Sequence, residues 1–411
     1  MKRLISSIAA SLVCFVLSAH NQADSLSYRN RFSVNVRSGY LAPTHPFFRG
    51  ENESGERLNL SSSVHLQYAF SFPSGTYFGK TFPTAYQGIG VGFNNFYDNK
   101  EIGRPTAIYL LQGARLAKLS PCIDLSYEWN FGISFGWHPY KEYENSYNMV
   151  VGSRANAYIN FGLLLDWRIT PSWNMKFGLE ATHFSNGNTK YPNAGVNTLG
   201  GRIGATYSFD TRIGEKGTKA LTRTGIDGES GHRNRWTLDA ILYGAGRAKG
   251  MIWKDNVYIV SGKFGILGVN LNPMFRINKF LKTGISADIQ YDESANLDKH
   301  VAGNYVDSHG EDLRFYRPPL RESIGAGLSL RAEFVMPIFS VNVGIGHNVI
   351  YKGDDLKGWY QIVALKTNVS RHLFLHVGYK MCKFHDPNNL MLGIGWRQAV
   401  PDKTRLILRL S

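Results

Sequence analysis

Three residues able to carry out ester chemistry, His183, Ser185 and Asn197, stand at spacings that one β-hairpin would bring together. A serine hydroxyl is a poor nucleophile until a base removes its proton, and the usual base is histidine. A third group must fix the imidazole tautomer, and an uncharged asparagine can do so. The run into the pair alternates: Trp173, Met175, Phe177, Leu179 and Ala181 are apolar, with Asn174, Lys176, Gly178 and Glu180 between them. Successive strand side chains point to opposite faces, so His183 and Ser185 continue the apolar row. The run leaving the turn (Leu199, Gly201, Ile203, Ala205, Tyr207, Phe209) puts Asn197 on the same parity. Paired as a hairpin, the two runs place all three residues on one apolar face. Such a surface predicts a hydrolase with an apolar substrate. The plainer alternative is a polar patch whose histidine and serine bond loop backbone, but correct parity on both strands favours the triad.

Alternation of this kind fills almost the whole chain. It is clearest over Ile123–Trp137, with Asp124, Ser126, Glu128 and Asn130 among the intervening residues, and over Ala155–Ile169. These runs are two to three times the usual strand length of about five or six residues. They are long enough to cross a bilayer at a tilt, and their aromatics gather toward the ends as interfacial girdles do. A soluble sandwich would leave Asp124, Glu128, Asp166 and Arg168 in water. A membrane barrel instead encloses them, and a lumen lined by these with Lys176, Glu180 and Arg202 suits a small, filled barrel. The fold class predicted is all-β, an antiparallel transmembrane β-barrel. Eight strands are expected near 31–40, 62–72, 86–97, 106–118, 122–137, 151–169, 173–185 and 197–209. Eight more are expected near 236–246, 256–271, 280–291, 322–336, 339–351, 359–370, 372–382 and 389–397. The resulting organisation is a signal peptide (1–23), a catalytic barrel (24–210), a linker or long loop (211–235) and a non-catalytic second half (236–411). Residues 292–321, rich in Asp and Glu, read as a long exposed loop. The second half closes either as a barrel of its own or jointly with the first, as one barrel of about sixteen strands.

The N-terminus has the grammar of an export signal: Lys2 and Arg3, an apolar Leu4–Leu17 and small residues at Ser18, Ala19 and Ala23. Its removal would take the formal net charge from +15 to +13. An exported chain this basic suits anionic headgroups; the dispersed charge argues against nucleic acid. Beyond Cys14, the two cysteines Cys122 and Cys382 leave either one disulfide or free thiols, and no zinc spacing occurs. The end of the second half (Leu375-His376-Val377-Gly378-Tyr379-Lys380, then Pro387-Asn388) echoes the run around Lys176–Glu180 and Pro192-Asn193. Read as a duplication, it puts Lys383 where His183 stands, with no serine after it, so the second copy is catalytically empty.

The segment His183-Phe-Ser-Asn-Gly-Asn-Thr-Lys-Tyr-Pro-Asn-Ala-Gly-Val-Asn197 resembles the active-site hairpin of the outer-membrane lipid A 3-O-deacylases, the acyloxyacyl-hydrolase-like barrels. The resemblance implies an eight-stranded barrel in the bacterial outer membrane, with a metal-free and cofactor-free triad on its lipid-facing wall. It implies His183 as general base and Ser185 as nucleophile. Asn193 would serve the oxyanion and Asn186 would shape the turn, with lipid A of lipopolysaccharide as substrate. That family carries a glutamate where this chain has Asn197. The same stretch is similar to outer-membrane phospholipase A, which has a true asparagine there but uses calcium. Gly187–Val196 holds no carboxylate to bind such a cation. The function expected is therefore a serine esterase removing an ester-linked acyl chain from lipid A. The alternatives are a phospholipase A and a non-catalytic barrel such as a porin, an assembly factor or an adhesin.

Overall fold

A computed structural model describes residues 27–212, 235–253, 256–307, 310–382 and 386–400; the expected signal peptide, nearly all of the expected linker and Lys383 lie outside the described residues. The first sheet consists of β1 (Ser27–Leu41), β2 (Leu60–Ser71), β3 (Tyr86–Asn95), β4 (Gly103–Lys118), β5 (Ile123–Trp137), β6 (Ala155–Arg168), β7 (Trp173–Ser185) and β8 (Val196–Arg212). Each strand pairs antiparallel with the next, and β8 returns to β1 from Arg212↔Ser27 to Thr198↔Leu41, closing a barrel. The chain continues through β9 (Trp236–Trp253), β10 (Asn256–Arg276), β11 (Leu281–Asp292), β12 (Val301–Asp307) and β13 (Gly310–Phe315). It ends with β14 (Ile324–Val335), β15 (Phe339–Ile350), β16 (Trp359–Asn368), β17 (Leu373–Cys382) and β18 (Asp386–Val400). Here β18 closes on β9, so the molecule holds two eight-stranded barrels and not one of sixteen. Closure leaves no unpaired strand edge, the condition for strands to stand in hydrocarbon.

One expectation is corrected here and one open alternative is decided. The stretch 292–321 is not simply a loop: β12 and β13 pair as a hairpin, with Val301 and Phe315 packed near Val260 and Phe264. Its few apolar residues are interrupted by charges, so no two-residue period shows in the sequence. Cys122 and Cys382 are both free thiols, one in each barrel, and so not a disulfide.

The first lumen is a charge-paired core. Glu128 is its hub. It accepts hydrogen bonds from Arg202 (2.8 Å), Gln67 (3.0 Å) and Tyr86 (2.9 Å), and Lys176 lies 3.6 Å away. Glu180 pairs with Arg37 at 3.3 Å. Of the seven lumen residues expected, Glu128, Lys176, Glu180 and Arg202 are fully enclosed and Asp166 partly so. Arg168 is instead exposed at the strand end, bonding the Pro121 carbonyl, and Asp124 pairs with Arg115 near the rim. Both sit where their strands leave the barrel, so correct parity does not bury them. The second lumen follows the same rule with Lys366 between Asp239 (3.0 Å) and Glu333 (2.7 Å).

The barrels stand side by side with their longer loops at the same end. There the Ala248 amide of β9 donates to the Asn188 carbonyl at 2.8 Å. At the opposite end Phe82 meets Phe280 edge-on at 5.5 Å, and Trp129 packs on Phe339 at 5.6 Å.

Removing one partner from a buried ion network leaves the others charged and unpaired, at a cost of about 3–5 kcal/mol. Glu128→Leu is therefore expected to lower the temperature at which the purified barrel loses its compact mobility on a semi-native gel. An unshifted transition would show that the lumen network contributes nothing to stability.

Candidate active site

The geometry begins with Phe184, which is inward-facing and buried. Its ring packs on Trp137 (5.1 Å), Tyr158 (5.3 Å) and Phe96 (5.8 Å), capping the lumen beneath the long loops. A strand whose residue 184 points inward must point 183 and 185 outward. His183 and Ser185 therefore continue the exposed row of Phe177, Leu179 and Ala181. A one-residue slip of β7 would bury both and expel the aromatic ring, so packing at Phe184 fixes the register.

β8 supplies the third residue. His183 and Asn197 are directly opposite in the β7–β8 ladder, and Nδ1 of the histidine lies 2.6 Å from Oδ1 of the asparagine. An amide oxygen only accepts, so Nδ1 carries the proton and Nε2 is left as an acceptor. The Ser185 hydroxyl sits 2.9 Å from that Nε2 and donates to it. Asn197 is held from behind, its carbonyl accepting from the Ala42 amide at 2.9 Å.

The connecting loop is braced by its own amides. The Asn186 N–H donates to Oδ1 of Asn193 (2.9 Å), and the Asn186 side chain donates to the Lys190 carbonyl (2.8 Å). Asn193 in turn donates to Oδ1 of Asn188 at 3.0 Å. That contact uses one of the two protons on its amide nitrogen. Gly195 has φ +74°, and a Cβ there would stand 3.3 Å from Cε1 of His183. Both the left-handed backbone and the space require glycine. Its amide donates to the Val150 carbonyl, tying the hairpin to the β5–β6 loop.

All of the expected site residues except the buried Asn186 line one cleft of about 1090 Å³ between the barrels: His183, Ser185, Asn193 and Asn197. Its remaining lining is mostly apolar, from β5 and β6 on one side and from β16, β17 and β18 on the other. The arrangement can activate a hydroxyl toward a carbonyl held in an apolar setting, which is the chemistry of ester cleavage.

Sequence comparison gives two matches. Residues 122–206 match the family described as lipid A 3-O-deacylase (PagL), and residues 236–399 match the acyloxyacyl hydrolase C-terminal domain. The first barrel is thus similar to the lipid A 3-O-deacylases (PagL), and the second to the C-terminal domain of acyloxyacyl hydrolase. The chain is an ester hydrolase of the bacterial outer membrane. No curated protein matches its sequence. Among solved structures, the outer-membrane enzyme PagL aligns at 13% identity and TM-score 0.29, covering 42% of this chain and 97% of that one. Neisserial surface protein A aligns at 8% identity and TM-score 0.28, covering 44% and 97%. The siderophore receptor PirA from Pseudomonas aeruginosa aligns at 9% identity and TM-score 0.26, covering 92% and 82%.

Two contributors went unread in the sequence. Phe184 is one of them: its inward parity was the available signal, but the rings it meets, Trp137, Tyr158 and Phe96, lie on other strands and loops. The second barrel's side of the cleft had no such signal, because outward rows do not say which surface they meet.

Asn197 is where this chain departs from the glutamate that its resemblance to the family implies. Asn197→Ala should lower ester hydrolysis by something on the order of 10²-fold, less than loss of the serine, since nucleophile and base both remain. Asn197→Glu should retain activity. Lipid A deacylation by the Ala variant at the wild-type rate would remove Asn197 from the site.

Proposed function

We propose that this outer-membrane hydrolase removes one ester-linked acyl chain from lipid A through a Ser185–His183–Asn197 triad on the outer, lipid-facing wall of its first barrel. The observation that carries the reading is the unbroken relay Ser185–His183–Asn197, at 2.9 and 2.6 Å. In the first half-reaction Oγ of Ser185 attacks the ester carbonyl carbon and its proton passes to Nε2 of His183. The carbonyl oxygen becomes an oxyanion, with the second N–H of the Asn193 amide as candidate donor. Collapse of the intermediate breaks the ester C–O bond, and His183 gives the proton to the leaving sugar oxygen, which departs as a hydroxyl. Water, activated by the same imidazole, then attacks the acyl-serine. It releases a free fatty acid and restores the serine. Asn197 holds the imidazole in the tautomer that both steps need. The substrate is an anionic lipid embedded in the same bilayer, so no water-filled entry path is required.

Ser185→Ala and His183→Ala should each abolish deacylation to a similar extent, because members of such a unit are strongly non-additive. Mass spectrometry of lipid A from cells expressing each variant measures this. A serine variant that still deacylates lipid A would refute the nucleophile assignment. Complete inactivity of the folded wild-type chain toward lipid A would instead favour a non-catalytic barrel.

The asparagine at the third place also fits a phospholipase A, which would need calcium at the oxyanion. The loop from Gly187 to Val196 offers no carboxylate, and hard cations prefer several oxygen ligands, usually including charged ones. Activity is expected to persist in excess chelator; a collapse reversed by calcium would favour the phospholipase.

A further inference from the structure

The cleft beside Ser185 has two walls, and only one belongs to the catalytic barrel. The other is built by Val363 and Leu365 of β16, Val377, Tyr379 and Met381 of β17, and Leu390 of β18. Val363, Tyr379 and Leu390 are register partners across the three strands, so they form one lateral row, with Leu365 opposite Val377 in the next row down. We propose that this outer wall of the second barrel is the acyl-chain-binding face of the active site, and that it sets which chain is cut. The proposal rests on the deacylase reading.

Three observations support it. First, the two barrels do not pack flush. They touch near the long loops, where Leu390 comes so close to Gly187 that a Cβ on the glycine would stand 2.7 Å away. They touch again where Phe82, in the β2–β3 connection, meets Phe280, and where Trp129 of β5 meets Phe339. Between those contacts the cleft of about 1090 Å³ stays open. Protein interiors close-pack, so a space at the upper end of the usual ligand-pocket range of roughly 300–1,000 Å³ is no packing defect. Second, Ser185 and Asn193 share this cleft with the apolar wall, so a carbonyl held at the serine would lead its hydrocarbon tail between the barrels. Third, the wall is long enough to grip a chain: Val377 to Met381 alone spans roughly 13 Å of strand.

The physics assigns the wall selectivity and not bulk affinity. Lipid tails are as apolar as leucine, so moving an acyl chain from bilayer to cleft gains little from the hydrophobic effect. What the second wall adds is shape and orientation, holding the carbonyl where Ser185 can attack it. The second barrel can thus lack a serine of its own and still define the reaction.

The test uses the full chain in phosphatidylcholine vesicles, with fluorophosphonates bearing an ethyl or a hexadecyl chain. Each labels an activated serine as its Oγ displaces fluoride from phosphorus. The readout is the ratio of hexadecyl to ethyl labelling rates at Ser185. Val377→Trp, which fills the cleft, should lower that ratio by about tenfold, in the range that pocket-shape changes produce. Met381→Ala, which removes a contact without adding bulk, should lower it as well and carries the test if the tryptophan variant fails to fold. Leu330→Trp, outward on β14 and outside the cleft lining, should leave the ratio unmoved. A normal ratio in the folded wall variants, with the serine still labelled, overturns the wall assignment alone. Absence of labelling by either probe in the wild type overturns the serine reading, and the wall assignment with it.

Discussion

The whole arrangement depends on the two-residue alternation of strands in a closed sheet, and on the packing that fixes its phase. In hydrocarbon every backbone N–H and C=O must be paired within the sheet, which leaves side-chain direction as the remaining variable. On β7 that direction is set by Phe184, wedged against Trp137, Tyr158 and Phe96. Its neighbours His183 and Ser185 then have no choice but the outer face. The same phase carries Lys176 and Glu180 into the lumen. The outward His183–Ser185 pair and the ionic core are thus two consequences of a single register.

The two faces obey opposite electrostatic rules. Inside, Glu128 and Arg202 are fully enclosed, and each charge is answered by another within hydrogen-bond reach. Outside, in the proposed mechanism, the histidine is oriented by an amide and not by a carboxylate. An ionised carboxylate facing hydrocarbon without a full set of donors is expensive to maintain, so a neutral orienter is a workable solution at that face. It forgoes charge support for the imidazolium, which Asn197→Glu would add.

The second barrel repeats the frame of the first. Its seventh strand, β17, carries His376 and Lys380 inward, at the places Lys176 and Glu180 occupy in the sequence echo. A second frame without a His-x-Ser pair in its sequence fits the proposal that the barrel's outer surface is what matters. Its contact with the site hairpin, from the Ala248 amide to the Asn188 carbonyl, joins the two units at the level of the chemistry.

The sequence by itself determined most of the local structure. Period-two patterning located all sixteen barrel strands, because an apolar outer face and a polar lumen leave that signature in every strand. Parity also put His183, Ser185 and Asn197 on one face, while the register that sets His183 opposite Asn197 came from the folded sheet. The sequence could not foresee the β12–β13 hairpin, whose stabilising contacts are with Val260 and Phe264, distant in sequence. Nor could it choose between one barrel and two, because closure is decided by whether β8 meets β1 or β9, and both edges have equivalent patterning. The tertiary structure alone decided that Arg168 lies beyond the lumen, that the two thiols stay apart, and that Val377 and Leu390 share a cleft with Ser185. These are facts about which surfaces meet, and an outward apolar row fits hydrocarbon or another barrel equally well.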